Sequence, residues 1–584
     1  MSSEKQEEKT LSVQPANAVA GVKPYKIPPR RQVVDLPLGN TERLFFTDAE
    51  SKDLQALLSD QTIDDVIGYP NPTVLEAMIA EQYGVDTDQV IVTAGGDESL
   101  ERACKSVLMP GTEIIVPYPT FEMIPIYAGL CGAKVVDVPW VDGAYPVESV
   151  LGAITKNTRA IVMISPNNPT GTSLTAEQVD QLARGAKDVL VIADLAYAEF
   201  AKEDLMPTLL KHSNVVITRT FSKALGLAGL RVGYAIGDAR VIAWLKGASG
   251  PYTVSKLSLA MAKARMQAEQ APVQAYIERV QAERDKLVAL LQELGATSIP
   301  SQANFVLARF EKSAWVKDAL EGLGIGVRVF PGKPGLEGAV RITCPGNDEV
   351  FERLCDGFRA ALNPEAMIFD LDGVLADVSG SYRATIVETA AAFGVTVTSE
   401  QISAQKAAGN ANNDWVVTQR LCEEAGVNID FEAIKDKFEE IYQGTAEAPG
   451  LRSTETLLTP KVWLNALKAK LPLAIVTGRP RSDALCFFEE NDILDCFEVL
   501  VCMEDAALKP DPAPVNLALQ KLGVKYAWMI GDTPDDIRAS RGARVVPLGV
   551  LAPGDGEDTK ETLLDAGASR VLNETLSLEE LLNG

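Results

Sequence analysis

Residues 214–237 read NVVITRTFSKALGLAGLRVGYAIG. An apolar run leads into a turn rich in hydroxyls and glycine around one lysine, and a second apolar run follows. That pattern predicts two buried strands joined by a chemically loaded connection. The same alternation extends upstream. QVIVTAG (89–95), EIIVPYP (113–119), RAIVMISP (159–166) and VLVIADLAY (189–197) are apolar runs that end in Gly, Pro, Ser or Asp, with helical spacing between them. Strands buried on both faces read as continuous apolar runs because helices cover each side. An α/β domain on a largely parallel sheet is therefore expected from about Asp88 onward.

Beyond it, 252–296 carries one long helical stretch. Short strands follow at NFVLARF (304–310), GVRVF (326–330) and AVRITC (339–344), with a helix near 348–362. This predicts a smaller α+β domain. Pro364, in ALNPEA (361–366), marks a boundary. MIFDLDGVL (367–375) then opens a second α/β pattern, whose later strands are LAIVTG, VLVCME, AWMIGD and RVVPLGV. Residues 377–470 between its first two strands are helical in pattern and predict a lid over the strand ends. The expected organisation is a flexible arm over 1–30, one unit over 31–363 and another over 366–584.

The composition narrows the chemistry. Of 584 residues, 46% are hydrophobic and 23% charged, ordinary globular values for a chain too long for one core. The 55 Lys and Arg against 80 Asp and Glu give a formal charge of −25. Such a surface repels nucleic acid and anionic membrane. The start MSSEKQEEKT reads as neither a secretory signal nor a transit peptide, and no stretch of about 20 apolar residues is present. The eight cysteines form no C-x-x-C pair, which fits a reducing, cytoplasmic location. The single histidine, His212, excludes a multi-histidine metal centre and reads as a satisfied loop residue.

Four fragments stand at predicted strand ends in the first unit: AGGDES (94–99), SPNNPTG (165–171), ADLAY (193–197) and TFSKALGLAGLR (220–231). In open α/β sheets that edge binds ligands. Each alone could be a turn or a helix start. Their order and spacing together are specific. With GYPNPT (68–73), ANFVLARF and VRIT, they resemble the fold-type-I pyridoxal-phosphate aminotransferases over about 35–362, and within them the histidinol-phosphate aminotransferase branch.

The resemblance implies a cofactor, pyridoxal 5'-phosphate, with Lys223 as Schiff-base lysine and carrier of the α-proton. It implies Asp194 at the pyridine nitrogen, Asn168 and Tyr197 at the ring oxygen, and Phe121 stacked on the ring. The cofactor phosphate would be held by Gly96 and Asp97 at a helix start and by Thr220, Ser222 and Arg231. Arg341 would take the donor's carboxylate, and Arg328 and Arg341 would hold a substrate phosphate. Asn304 and Asn40 are further substrate-side positions. Tyr69 would come from a neighbouring subunit, which implies a homodimer. Two departures from the family pattern bear on the substrate. Leu195 stands where Glu is usual, and Leu38-Gly39-Asn40-Thr41 replaces an Asn-Glu-Asn-Pro motif. Aromatic amino acids or another phosphorylated amine are therefore alternative donors, with 2-oxoglutarate as acceptor.

In the second unit, Asp370 and Asp372 sit at i and i+2 on a strand end and point the same way. IVTGR (475–479), LKPDP (508–512) and MIGDTPDD (529–536) each follow an apolar run. A calcium loop would need a closing Glu and oxygen ligands at fixed spacing, and VLADVSGSY supplies neither the spacing nor the Glu. The set resembles the haloacid-dehalogenase-like superfamily, in its phosphatase-type members with a lid after the first motif. That implies a Rossmann-like core with a helical cap. Asp370 would be the nucleophile and Asp372 the general acid and base. Thr477 and Lys509 would hold the phosphoryl group. Mg2+ would lie on Asp370, the Asp372 carbonyl and Asp532, supported by Asp536. The substrate would be a phosphate monoester. Transamination to histidinol phosphate and loss of its phosphate are consecutive steps of histidine synthesis, so one chain performing both is the expectation. A general small-molecule phosphatase and a purely regulatory second unit are the alternatives.

Overall fold

The structure, a computed structural model, describes residues 16–20, 31–140, 143–408, 413–445 and 448–582. Of the expected N-terminal arm, 1–30, residues 16–20 are described, with Asn17–Ala20 in one helical turn, and the rest lies outside the described residues.

The first unit is built on a seven-stranded sheet. Its order is Val90–Thr93, Gly233–Gly237, Val215–Thr220, Leu190–Asp194, Thr158–Ile164, Glu113–Tyr118 and Lys134–Pro139. All neighbours are parallel except Gly233–Gly237, which runs antiparallel to both of its partners. Separate apolar clusters form on its two sides, one around Ile115, Met163 and Ile217 and the other around Ile114, Val162 and Val216. The alternate residues of each strand feed opposite clusters, which is why these runs are unbroken in hydrophobicity. The Lys134–Pro139 strand escapes a sequence reading. It is the sheet edge, and its KVVDVP pattern is mostly exposed or half-buried.

The expected long helix over 252–296 is two helices, Lys256–Gln267 and Ala271–Glu293. Pro272 lies in the first turn of the second, where its missing N–H costs nothing. The small domain adds an antiparallel sheet, Arg328–Val329, Ala339–Thr343, Phe305–Arg309 and Thr297–Ser298. A short parallel pair, Leu36–Pro37 with Ile325–Gly326, ties the N-terminal segment to it. Helix Asp348–Leu362 ends three residues before strand Ala366–Phe369.

That strand is central in a parallel six-stranded sheet: Val499–Val501, Leu473–Val476, Ala366–Phe369, Ala527–Gly531, Val546–Val550 and Arg570–Leu572. The cap helices are Tyr382–Ala392, Ser399–Ala408, Asp414–Glu424 and Phe431–Gln443. A two-stranded stem, Ala376–Asp377 against Thr456–Leu457, marks where the chain leaves and re-enters the core. The lid is therefore shorter than the expected 377–470. Helix Lys461–Lys468 belongs to the core, with the Trp463 ring edge-on to Phe369.

The two units share one apolar core. Trp315, Ala319, Ala360 and Ala361 of the small domain cluster with Trp528, Val546 and Leu548 of the second sheet. The Trp315 and Trp528 rings meet at 4.7 Å, edge to face, and Trp528 Nε1 donates to the Ala360 carbonyl at 2.7 Å. Arg541 caps the Val33 carbonyl, Arg31 caps those of Leu564 and Ala568, and Arg570 pairs with Asp318 at 2.6 Å. This seam is core-like, with rings and paired charges in place of a solvated linker.

Candidate active sites

The C-terminal ends of the central strands in the first sheet open into a cavity of about 250 Å3. Lys223 follows strand Val215–Thr220, and Asp194 ends the strand beside it. Lys223 Nζ donates to Thr41 Oγ1 at 2.7 Å, and Thr41 Oγ1 lies 3.1 Å from the Tyr197 hydroxyl. Asp194 is buried and accepts from the Ala196 N–H and, at 3.4 Å, from Thr218 Oγ1. Burial pushes its carboxyl up to about 6, with nearby Asp97 adding to the rise and Lys223 opposing it.

Helix Gly95–Val107 points its N-terminus into the same cavity. Its first turn offers unpaired N–H groups and the positive end of the helix dipole. Thr220 Oγ1 donates to Ser222 Oγ at 2.9 Å, and Arg231 reaches both Ser222 Oγ (3.4 Å) and Asp97 (3.0 Å). Glycine is required on both sides of this corner. A Cβ at Gly95, where φ is +81°, would stand 2.5 Å from the Arg231 guanidinium, and one at Gly233 would stand 2.4 Å from the Gly95 backbone. Phe121 and Asn168 line the cavity. Asn168 Oδ1 accepts from Arg341 Nη1 at 2.6 Å, and Arg341 Nη2 donates to the Gly39 carbonyl. Asn40, Glu122, Arg328, Phe330 and Lys333 also line the cavity.

One expected residue is elsewhere, and Tyr69, expected to serve a neighbouring subunit, stands outside this chain's own cavity. Asn304 is fully buried outside the cavity and donates from Nδ2 to the Thr41 carbonyl at 2.9 Å. It fixes the loop that carries Thr41 instead of facing substrate. Tyr69 is 83% exposed and stacks on Tyr252 at 4.8 Å, away from this chain's own cavity.

In the second unit, Asp370, Asp372, Asp532 and Thr533 line a cleft under the cap. Among the described residues, Asp370, Asp532 and Asp536 form a group of acids whose oxygens lie within 4.8 Å of one another. Lys509 Nζ sits 2.8 Å from Asp370 Oδ1 and 2.5 Å from Asp536 Oδ1. Burial pushes the Asp370 carboxyl up, against the pull of Lys509. Burial alone would lower Lys509, but the two aspartates outweigh it and raise the ammonium above its ordinary value. Thr533 caps helix Pro534–Gly542 in a reciprocal box with Asp536, which holds Asp536 in place. Thr477 is buried, and its Oγ1 accepts from the Arg479 N–H.

Arg479 is a residue that sequence reasoning passed over as part of the IVTGR run. Its Nε donates to Asp372 Oδ1 at 2.7 Å, and its Nη1 donates to Glu455 Oε2 at 2.9 Å. Glu455 also accepts from Ser381 Oγ and the Tyr442 hydroxyl. The guanidinium thus links Asp372 to both sides of the cap stem. Past Asp372 and Gly478 the cleft continues into a cap-side recess walled by Asp414, Trp415 and Glu439. Glu439 Oε1 accepts from Trp415 Nε1 at 3.2 Å.

A family model described as aminotransferase class I and II matches residues 36–358. The chain belongs to this family. A haloacid dehalogenase-like hydrolase model matches residues 367–550, so the aminotransferase is fused to a HAD-like domain. The aminotransferase is 36% identical over 303 residues to a histidinol-phosphate aminotransferase of Erythrobacter litoralis, covering 49% of this chain and 81% of that one. It is 37% identical over 271 residues to an aromatic amino acid aminotransferase of Corynebacterium glutamicum, covering 45% and 78%. An imidazoleglycerol-phosphate dehydratase of Phytophthora nicotianae is 48% identical over 198 residues, 32% of this chain and 44% of that protein, so less than half of its length is spanned. The fold is shared with the histidinol-phosphate aminotransferase of Sinorhizobium meliloti solved with pyridoxal-5'-phosphate, at TM-score 0.52 and 23% identity, over 56% of this chain and 91% of that one.

The residues of the aminotransferase cavity fit that cofactor. A helix start, two hydroxyls and a guanidinium suit a phosphate. A buried carboxylate suits a protonated ring nitrogen, and a lysine between them suits an aldehyde. Among the described residues no helix is long and apolar enough to cross a membrane.

Proposed function

We propose that the chain is a bifunctional enzyme of histidine synthesis. Its first unit moves an amino group between histidinol phosphate and 2-oxoglutarate, and its second removes the phosphate of histidinol phosphate with the help of Mg2+. The observation that carries this reading is complementary charge in the two pockets. Arg328 and Lys333, each paired with Glu122, line the aminotransferase cavity, where a donor's phosphate would lie. Asp414 and Glu439 stand beside Trp415 beyond Asp372, where an amine and a ring on the leaving alcohol would lie. The names of two relatives, histidinol-phosphate aminotransferase and imidazoleglycerol-phosphate dehydratase, both point to phosphorylated imidazole compounds.

Pyridoxal phosphate supplies the electron sink that lets the α-carbon of an amine lose and regain a proton. Lys223 Nζ is the base that moves that proton. Thr41 Oγ1, itself hydrogen-bonded to the Tyr197 hydroxyl, accepts from Nζ and holds it in line. The buried Asp194 would hold the proton on the ring nitrogen. Arg341, kept rigid by Asn168 and Gly39, takes the carboxylate of glutamate.

In the second unit Asp370, the Asp372 carbonyl and Asp532, supported by Asp536, would hold Mg2+, which would offset the phosphoryl charge. Asp370 attacks phosphorus, and the P–O bond to the alcohol breaks. Asp372 gives its proton to the departing oxygen, then takes one from the water that releases inorganic phosphate. Arg479 orients Asp372 for both transfers.

A second copy of the chain belongs to the working enzyme in this reading. Ile63, Val66, Ile67, Tyr69 and Val74 expose an apolar surface around Tyr69, as large exposed patches do at interfaces.

The test supplies histidinol phosphate, 2-oxoglutarate, pyridoxal phosphate and Mg2+ to the purified protein and follows glutamate and inorganic phosphate. Both products are expected. Lys223→Ala should stop glutamate formation alone, and Asp370→Asn should stop phosphate release alone. Neither product from a protein that has bound its cofactor would refute the proposal.

A further inference from the structure

Transamination alternates two unlike substrates in one cavity, so that cavity must suit more than one side group. Glu122 stands there, directly after the ring-facing Phe121, at the start of helix Met123–Leu130. Its Oε1 lies 3.3 Å from Arg328 Nη2, and its Oε2 lies 3.3 Å from Lys333 Nζ. Each carboxylate oxygen is thus taken by a different cation. The contacts also cross the cleft, because Glu122 belongs to the large domain and both cations to the small one.

These contacts differ in kind from those of Arg341 in the same cavity. Arg341 is 8% exposed and bonds Asn168 Oδ1 and the Gly39 carbonyl, each at 2.6 Å. The Glu122 pairs are longer than a tight charge-assisted bond of about 2.7–2.9 Å. Their side chains are 33% (Glu122), 23% (Arg328) and 48% (Lys333) exposed. Water already competes for them, so little free energy holds the carboxylate in place. Arg328 also lies over the Phe330 ring, 5.8 Å from its centroid.

We infer that Glu122 is a displaceable counter-ion that sets which side groups the aminotransferase cavity accepts. With an uncharged side group bound, Glu122 stays and neutralises Arg328 and Lys333 against the apolar walls of Phe121 and Phe330. With a phosphate dianion bound, Glu122 leaves, and the two cations match the two charges of the ligand. The inference rests on the proposed phosphorylated donor for its second half. It adds a residue that opposes that donor while favouring an uncharged one. Specificity here is a difference between two affinities, and Glu122 works on the repulsive side.

The test is Glu122→Gln, which keeps the volume and removes the charge, in the full chain loaded with pyridoxal phosphate. Two donors, histidinol phosphate and phenylalanine, are compared, with inorganic phosphate as a competitive inhibitor of each. The expected result is an opposite shift. KM for histidinol phosphate and the inhibition constant of phosphate fall about two- to fivefold, as the loss of an exposed ion pair implies, while KM for phenylalanine rises. Arg328→Gln in the same background should cancel the gain in phosphate affinity. An unchanged or weaker inhibition by phosphate in the Glu122→Gln protein overturns the inference, whichever donor is turned over. If phosphate inhibition tightens but neither protein accepts histidinol phosphate, the counter-ion role stands and the proposed donor fails.

Discussion

Arg479 offers the sharpest test of how the HAD-like domain works. Its side chain is 1% exposed, as against 27% for Asp372 and 3% for Glu455, so its charge is spent between two carboxylates with little help from water. Arg479→Lys keeps the charge but loses the planar fork that reaches both acids at once. A hydrogen bond to a charged group is worth about 1.5–3 kcal/mol. If one such bond to Asp372 is lost from the transition state, kcat for phosphate release falls about 10- to 100-fold, at about 1.4 kcal/mol per factor of ten. Arg479→Met goes further. It leaves Glu455 buried without a cation, and breaking a buried pair costs about 3–5 kcal/mol, so the cap stem should loosen as well. The assay measures phosphate release and transamination on the same preparation, the second serving as a control for folding. Transamination should be unaffected by Arg479→Lys. Phosphate release within twofold of the parent in the Arg479→Lys protein would refute the positioning role. An equal loss of both activities would show that the residue serves the fold and not Asp372.

Three further outcomes follow from the geometry. Burial pushes the Glu283 carboxyl up from 4.5 to about 7, so the fold prefers it protonated. Its contribution is therefore most favourable below about pH 4.5, is lost as pH rises to 7, and costs about 3 kcal/mol above that. Glu283→Gln should raise the denaturant midpoint at pH 8 and leave it unchanged at pH 4, and the reverse order would contradict the assignment. Trp528→Ala removes a ring from the seam and the bond to the Ala360 carbonyl, a loss of about 3–5 kcal/mol. Calorimetry should then resolve two unfolding transitions where the parent shows one. Gly233→Ala drives a methyl into the Gly95 backbone and should cut pyridoxal-phosphate affinity at least tenfold, read from cofactor absorbance after dialysis, with circular dichroism unchanged.

The parts of each site that are local in the chain were open to sequence reading. Ser222, Lys223 and Arg231 share one connection between two strands, and Asp370 and Asp372 share one strand end, because each chemistry needs several groups at a single turn. The remaining partners reach across the fold. Thr41 meets Lys223 from 182 positions away, and Glu455 meets Arg479 from across the cap stem. Neither carries a motif, since a hydroxyl or a carboxylate in a loop is common and its meaning is fixed by what it faces. Asn304 shows the converse. Its place in ANFVLARF suggested a substrate contact, but the strand turns its side chain back to hold the Thr41 carbonyl. The seam was hidden for a related reason. Trp315 and Trp528 each read as ordinary core of their own domain, and nothing in either neighbourhood announces the other.

That seam has a consequence for biosynthesis. The ribosome delivers residues 31–362 before 366–584, so the first catalytic unit is complete while Trp315, Ala319, Ala360 and Ala361 still lack the sheet that covers them. During that interval the nascent chain presents a sticky face to its surroundings. A gene split at residue 364 would make the condition permanent, leaving each half with an uncovered indole and unmatched charges. The two domains are thus held at one-to-one stoichiometry twice over, once by the peptide bond and once by a surface that neither half can expose without risk of aggregation.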